Sequence, residues 1–187
     1  MKNPRNLNSL FAILLLVAVV LACSKSGGTD TSDVAKANQL VDEGNAAVQQ
    51  GKTFLTDAES KKDKMMHTNM RQLADARVTA AEAIAAYDRA TEKCKEAAQK
   101  YDEASRLKID EKFKDYLALK VKEYNKRAEM IDAAKDTPKA LIESTNRSSF
   151  VNRVTANNEK VDKLSKEADE LASESDKIRK DNPASFK

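Results

Sequence analysis

The feature that most constrains this chain is a regular spacing of apolar and small side chains from residue 34 to residue 178. They recur at alternating steps of three and four residues, which places them along one face of an α-helix. The four stripes are Val34, Ala37, Val41, Gly44, Val48, Gly51, Leu55 and Ala58; Leu73, Ala80, Ile84, Tyr87, Thr91, Cys94, Ala98 and Tyr101; Phe113, Leu117, Val121, Tyr124, Ala128 and Ile131; and Phe150, Val154, Asn157, Val161, Leu164, Ala168, Leu171, Ser175 and Ile178. They predict an all-α fold, an elongated antiparallel three- or four-helix bundle or coiled coil.

Breaks between the stripes give the helix boundaries. Asn69 and Gln72 have the spacing of a capping box, which predicts that the second helix begins there. Neither Gly nor Pro interrupts residues 70–136, so the second and third helices could be continuous. We favour a break at 108–110, because the second stripe runs into polar residues there.

A fourth, short helix is predicted by Thr137 followed by Pro138. Threonine is a good capping residue, and proline is favoured at the first helical position. The polar segment STNRSS at 144–149 then separates this helix from the last one.

Three residues are unexpected within the stripes. Gly44 and Gly51 each cost about 1 kcal/mol of helix propensity relative to alanine. Either a neighbouring backbone approaches closely at these positions, or the packing is loose. Asn157 is either a buried polar residue that fixes the register of the helices or a partly solvated residue at the edge of its stripe.

The amino-terminal segment has the features of a signal peptide. Lys2 and Arg5 precede an unbroken apolar run over residues 10–22. That run is shorter than the about 20 residues that a membrane-spanning helix needs. Residues 1–22 are therefore predicted to be removed from the mature protein.

The run ends at Val20-Leu21-Ala22-Cys23, which resembles the lipobox of bacterial prolipoproteins. Leu21 departs from the pattern, since a small residue is usual at that position. The resemblance implies diacylglyceryl transfer to the Cys23 sulfur, cleavage after Ala22 and acylation of the new amino terminus, and two or three acyl chains make a lasting anchor. It also implies that Ser24 does not retain the protein in the inner membrane. In a Gram-negative cell this favours the outer membrane, with the body facing the periplasm.

The predicted organisation follows from these features. Residues 1–22 are the signal peptide, and residues 23–32 are the lipidated cysteine and a tether rich in Gly, Ser and Thr. Residues 33–181 form the helical bundle, and residues 182–187 form a flexible tail after the last helix.

Composition argues against two classes of function. Residues 1–22 carry two positive charges and no negative ones, so the formal charge falls from +3 to +1 in the mature chain. The chain lacks both Trp and a basic cluster, so we expect no nucleic-acid binding. It also has one His, no glycine-rich phosphate loop and no nucleophile motif, which predicts a protein that is not an enzyme and has no cofactor.

Met65, Met66, His67 and Met70 form the one local cluster of soft ligands. Thioether and imidazole groups favour Cu(I), so this cluster is a candidate copper site in a stress-related or metal-binding lipoprotein. The alternative is that the methionines fill gaps at a helix end and His67 is exposed.

Cys94 and Lys187 are candidates for covalent links to other molecules. Cys94 is predicted to be a small buried hydrophobe, with an intermolecular disulfide across a homodimer as the alternative. The layout of lipobox, helical heptads and terminal Lys187 is similar to that of murein lipoprotein, which implies covalent attachment to peptidoglycan. An even number of long helices would return that lysine towards the membrane, whereas an odd number would present it to the wall.

These features together predict a lipid-anchored cell-envelope lipoprotein. Its helical body is expected to act as a non-catalytic scaffold, as a spacer, or as a module that binds a helical protein partner or another copy of itself.

Overall fold

The computed structural model describes residues 31–68 and 73–186. The helices are α1 (Thr31–His67), α2 (Leu73–Ser105), α3 (Glu111–Ala134), α4 (Asp136–Glu143) and α5 (Arg147–Asp181), followed by a 3-10 turn at Pro183–Phe186. No strand occurs in these ranges, which confirms the all-α prediction. Among the helices of the described ranges, none has the length and apolar character needed to cross a membrane.

The four long helices pack mainly in series. α1 packs on α2, α2 on α3, and α3 on α5, while the short α4 lies against α2 and α5. Paired residues run in opposite chain directions at every interface, so neighbouring long helices are antiparallel. The pairs are Asn45 with Tyr101 and Glu59 with Tyr87; Tyr101 with Tyr124 and Asp88 with Lys135; and Lys126 with Glu167 and Phe113 with Phe186.

The two ends of the described chain lie at the same end of the bundle. Near the start of α1, the Asp33 carboxylate accepts a hydrogen bond from the backbone N–H of Lys108 at 2.9 Å. At the other terminus, the Phe186 ring lies 5.2 Å from the rings of both Phe113 and Tyr116. Phe186 is therefore packed against the base of α3, and the flexibility predicted for 182–187 stays a prediction.

The core lies where α1, α2 and α3 meet. Its largest fully buried side chains include Tyr87, Tyr101, Tyr124, Leu117 and Ile131, and alanines of α2 fill much of the remainder. The predicted stripes supply about half of this core, and much of the rest is alanine from positions beside the stripes. Leu73 is an exception, because it is 37% exposed at the start of α2.

α5 is attached differently from the other long helices. Only five of its 35 residues are buried, and three of these are polar. They are Asn157, Val161, Ser165, Ala168 and Ser175. Because α5 buries little apolar surface, hydrogen bonds and ion pairs form a larger part of its attachment than they do for α2.

Both stripe glycines lie where α2 comes close to α1. A Cβ atom on Gly44 would lie 2.8 Å from the Tyr101 ring. On Gly51 it would lie 3.1 Å from the Cβ of Lys93 and 3.6 Å from the carbonyl oxygen of Ala90. The close approach of a neighbouring backbone is therefore confirmed at Gly51, whereas at Gly44 the neighbour is a side-chain ring.

The break between α2 and α3 is confirmed. α2 ends at Ser105, and the Asp110 carboxylate caps α3 by accepting hydrogen bonds from the backbone N–H groups of Lys112 and Phe113 at 2.7 and 3.3 Å. The capping box at Asn69 and Gln72 lies outside the described residues.

The short fourth helix is also confirmed, but the role predicted for Thr137 is wrong. α4 begins at Asp136, after Lys135, whose backbone keeps a helical conformation at the junction with α3. Thr137 lies inside the helix and is buried, and its hydroxyl accepts a hydrogen bond from the Asn157 side chain at 3.0 Å. Of the two interpretations of Asn157, burial is therefore confirmed, and its side chain is hydrogen-bonded to a residue of another helix.

Candidate functional site

The residues predicted to carry function are only partly described. Cys23, Met70 and Lys187 lie outside the described residues. The adjacent Met65 and Met66 have different environments, because Met65 is 2% exposed and Met66 is 45% exposed. His67 is exposed, and its Nδ1 lies 2.7 Å from the carbonyl oxygen of Asp63.

No group of three or more His, Cys, Asp or Glu side chains in the described ranges is arranged to hold a metal ion. That observation does not test a site made of thioethers. The copper site therefore stays a prediction, and its Met65 ligand would have to come from within the α1–α2 interface.

Cys94 lies in the core, in contact with neither solvent nor another cysteine of the described chain. Burial raises the pKa of its thiol to about 12, so the neutral form predominates at physiological pH. The interpretation of Cys94 as a small buried hydrophobe is confirmed. A disulfide to a second copy would require the α1–α2–α3 core to open.

The most distinctive polar feature of the described chain is a cleft of about 380 Å³ where α3, α4 and α5 meet. The residues that line it are Asp132, Ala133, Asp136, Lys139, Arg153, Ala156, Asn157 and Lys160. This cleft is the candidate functional site.

Arg153 joins α5 to α4 at one side of the cleft. Its Nε donates to the Asp136 carboxylate at 2.8 Å, a second guanidinium nitrogen donates to the other oxygen of that carboxylate, and the third donates to Glu143 at 2.6 Å. This two-point geometry is the strong form of an arginine–carboxylate pair. The hydrogen bonds from Arg153 hold the pKa of Asp136 below its usual value, so the carboxylate is charged at neutral pH.

The second carboxylate of the cleft is also paired. Lys135 lies 2.7 Å from Asp132 and 2.6 Å from Asp88 of α2. The hydrogen bond from Lys135 lowers the pKa of Asp132. Since Asp132 and Asp136 are both ionised and both bonded to a cation, neither has the near-neutral pKa that a general base requires.

Lys139 and Lys160 are the charged cleft residues that form no direct ion pair among the described residues. One lies on α4 and the other on α5, and neither forms an ion pair with a carboxylate within 4.0 Å in the described part of the chain. Both ammonium groups contribute to the lowered pKa of Asp136, which places them in the same local field. The four cations at the cleft are balanced by four carboxylates: Lys135, Lys139, Arg153 and Lys160 against Asp88, Asp132, Asp136 and Glu143.

A second charged cluster lies between α3 and α5 and is structural in character. Glu123 is buried, and its two oxygens accept from Arg127 at 2.8 Å and from Lys120 at 2.5 Å. Arg127 also reaches Asp169 of α5 at 3.2 Å. Glu123 and Arg127 are buried between the helices, whereas Asp169 is 46% exposed, so this cluster mainly joins α3 to α5.

The sequence contains only a weak signal for the cleft. Arg153, Asn157 and Lys160 are spaced by four and three residues, which puts them on one face of α5, and Asp132 and Asp136 have the same i, i+4 relation. Such spacings are common in a charged helix. Only the packing of α4 between α2 and α5 brings the two groups together.

No family model matches the chain, and no curated protein or solved structure matches it.

Proposed function

We propose that this chain is a lipid-anchored lipoprotein of the cell envelope whose helical body is a non-catalytic scaffold, a spacer or a module that binds a protein partner. The lipid is on Cys23, and the body faces the periplasm from the outer membrane if the cell is Gram-negative. The observation that carries the proposal is the direction of α1. It begins at Thr31, close in sequence to Cys23, and continues for 37 residues.

A helix of that length extends about 55 Å at ~1.5 Å per residue. Since both termini of the described chain lie at the end where α1 begins, the opposite end is distal to the anchor. The end of α1 and the start of α2 lie at this distal end, where Val78 is 61% exposed. A partner in the periplasm would meet that end first.

A non-catalytic role is supported by the electrostatics of the cleft. Its two carboxylates are ionised and bonded to cations, and the buried Glu123 has both oxygens engaged. These arrangements favour holding helices or a ligand in place over proton transfer.

The wall-attachment hypothesis for Lys187 is not favoured by the geometry. Four long antiparallel helices are an even number, and Phe186 packs at the anchor end of the bundle. Attachment there would require peptidoglycan to approach the base of the rod.

The anchor is tested by comparing two cysteine substitutions in the full precursor. Wild type is expected to incorporate a fatty-acid label and enter the detergent phase on partitioning. Cys23→Ala should lose both properties, and Cys94→Ala, which removes a sulfur far from the anchor, should keep both. Detergent-phase partitioning of Cys23→Ala equal to that of wild type would overturn the proposed anchor.

The binding role is tested with a photo-crosslinking amino acid in living cells. We expect adducts from Val78 at the distal end and none from exposed Lys112 at the anchor end, where a partner has less access. Absence of adducts from both positions would contradict partner binding at the distal end and leave the spacer role.

A further inference from the structure

α1 and α5 are the two outer helices of the bundle, and each packs mainly on one long neighbour, α1 on α2 and α5 on α3. They are nearly equal in length, so their buried faces can be compared directly. α1 buries nine of its 37 residues, and all nine are apolar or glycine. α5 buries five of its 35, and three of these are the polar residues Asn157, Ser165 and Ser175. Of the two outer helices, α5 therefore has the smaller apolar contact.

The hydrophobic core belongs almost entirely to the other long helices. Among the described residues, Val161 is the one member of α5 in the buried core cluster, and Leu164 is the one partly buried apolar residue of α5 that packs against it. The other large apolar residues of the α5 stripe are only partly buried: Phe150, Val154, Leu171 and Ile178. Because apolar burial is the main favourable contribution to folding, the core formed by α1, α2 and α3 does not depend on α5.

Ion pairs join α5 to its neighbours. From α3, Arg127 and Lys126 reach Asp169 and Glu167 of α5, each at 3.2 Å. Arg153 of α5 pairs with two carboxylates of α4. The side chains of Arg153, Glu167 and Asp169 are between 35% and 46% exposed. Ion pairs with this exposure contribute little to stability and weaken further when salt screens them.

Two further features affect how easily α5 leaves α3. Arg127 is 7% exposed, and its charge regains hydration when α5 moves away, which offsets part of the lost contact. The segment 144–146 between α4 and α5 is not helical, so it can act as a hinge without unwinding either helix. The contacts of Phe186 with Phe113 and Tyr116 oppose the movement at the carboxyl end.

We propose that α5 is a detachable helix, which swings away from α3 as one unit about segment 144–146 while the rest of the bundle stays folded. The observation that carries the proposal is the contrast between the apolar buried face of α1 and the mostly polar buried face of α5. Elements with few buried apolar contacts are those that open before the whole protein unfolds. Opening uncovers the surface of α3, and salt promotes it by screening the ion pairs.

The test is amide hydrogen exchange of the full chain in an uncharged detergent, under conditions where exchange reports the opening equilibrium. We expect the amides of Val161 and Ala168, in the middle of α5, to be protected at least about tenfold less than those of Tyr87 and Tyr124 in α2 and α3. The two α5 amides should share one opening equilibrium constant, because the helix opens as a unit. Raising the salt from about 0.05 M to about 1 M should speed exchange further in α5 but not in α2.

A pair of variants tests the ionic attachment. Asp169→Asn removes the carboxylate that pairs with Arg127 and should speed exchange in α5 by about two- to fivefold. The matched control is Asp162→Asn, at an exposed position of the same helix that forms no ion pair within the described ranges, and it should leave exchange unchanged.

Three results would overturn the proposal. They are protection of α5 equal to that of α2, a gradient of protection along α5 that indicates fraying from one end, and exchange in α5 that neither salt nor Asp169→Asn accelerates. None of these results depends on the lipid anchor, so a failure here leaves the proposed function to its own tests.

Discussion

Replacing Gly44 with alanine tests whether close packing of α1 on α2 outweighs helix propensity. Alanine gains about 1 kcal/mol over glycine inside a helix. Against this, the added Cβ would lie 2.8 Å from Cε1 of Tyr101, closer than carbon atoms approach without displacement. The sign of the net effect depends on whether that ring can move away.

Two contacts and its burial hold the Tyr101 ring in place. Its hydroxyl donates to Asn45 at 2.8 Å, its ring centroid lies 5.6 Å from that of Tyr124, and the side chain is 2% exposed. Moving the ring weakens a hydrogen bond worth about 1 kcal/mol and an aromatic pair worth ~0.5–1.5 kcal/mol. Overpacking of this kind costs about 1–3 kcal/mol.

We therefore expect Gly44→Ala to destabilise the protein by about 1–2 kcal/mol, despite its better propensity. For a chain of this size, that lowers Tm by roughly 2–8 °C. Urea and thermal unfolding followed by circular dichroism measure the effect.

Two controls separate strain from propensity. Ala46→Gly, at an exposed position of the same helix, reports propensity alone and should cost about 1 kcal/mol. Combining Gly44→Ala with Tyr101→Leu should cost less than the sum of the single changes, because the clashing ring is gone. A Gly44→Ala protein as stable as wild type, or more stable, would refute the reasoning, since it would mean that the ring moves freely.

Three further predictions follow from buried or paired groups. The hydroxyl of Thr91 is buried without a hydrogen-bond partner among the described residues, so Thr91→Val should leave the free energy of unfolding unchanged or raise it by up to about 1 kcal/mol. A lower free energy of unfolding for this variant in urea titration would contradict the prediction. The Cys94 thiol should react with Ellman's reagent at pH 8 only after denaturation, and rapid labelling of the native protein would contradict its burial. Because burial raises the pKa of this thiol to about 12, its contribution to the free energy of unfolding should be lost as pH rises from 9 towards 12. Arg153 lowers the pKa of Asp136, so their pairing should stabilise the fold fully above about pH 3.8 and progressively less as pH falls below it. Asp136→Asn should be less stable than wild type at pH 7, and this difference should shrink as pH is lowered below 3.8; a difference that stays constant would argue against the pairing.

The sequence alone determined the helices and about half of the residues that they bury. Helix formation depends on neighbours three and four residues apart, so the stripes of Val34–Ala58 and Phe113–Ile131 already contain the information. The break before α3 is equally local, because the Asp110 side chain caps backbone groups only two and three residues away. The glycines also showed where another helix must approach, but not which residue fills the space.

Only the tertiary structure decided which helices are neighbours and what lies between them. Stripes rich in alanine specify close packing without specifying a partner, so the serial order α1, α2, α3, α5 does not follow from them. Thr137 illustrates the consequence. Its local pattern is that of a helix cap, yet the structure buries it inside α4, where it bonds to Asn157, 20 residues away. The cleft has the same origin, because its lining residues come from α3, α4 and α5 and meet only when these helices pack. Contacts between residues far apart in the sequence hold this packing, such as the ion pair of Arg153 with Asp136, and no local spacing encodes them.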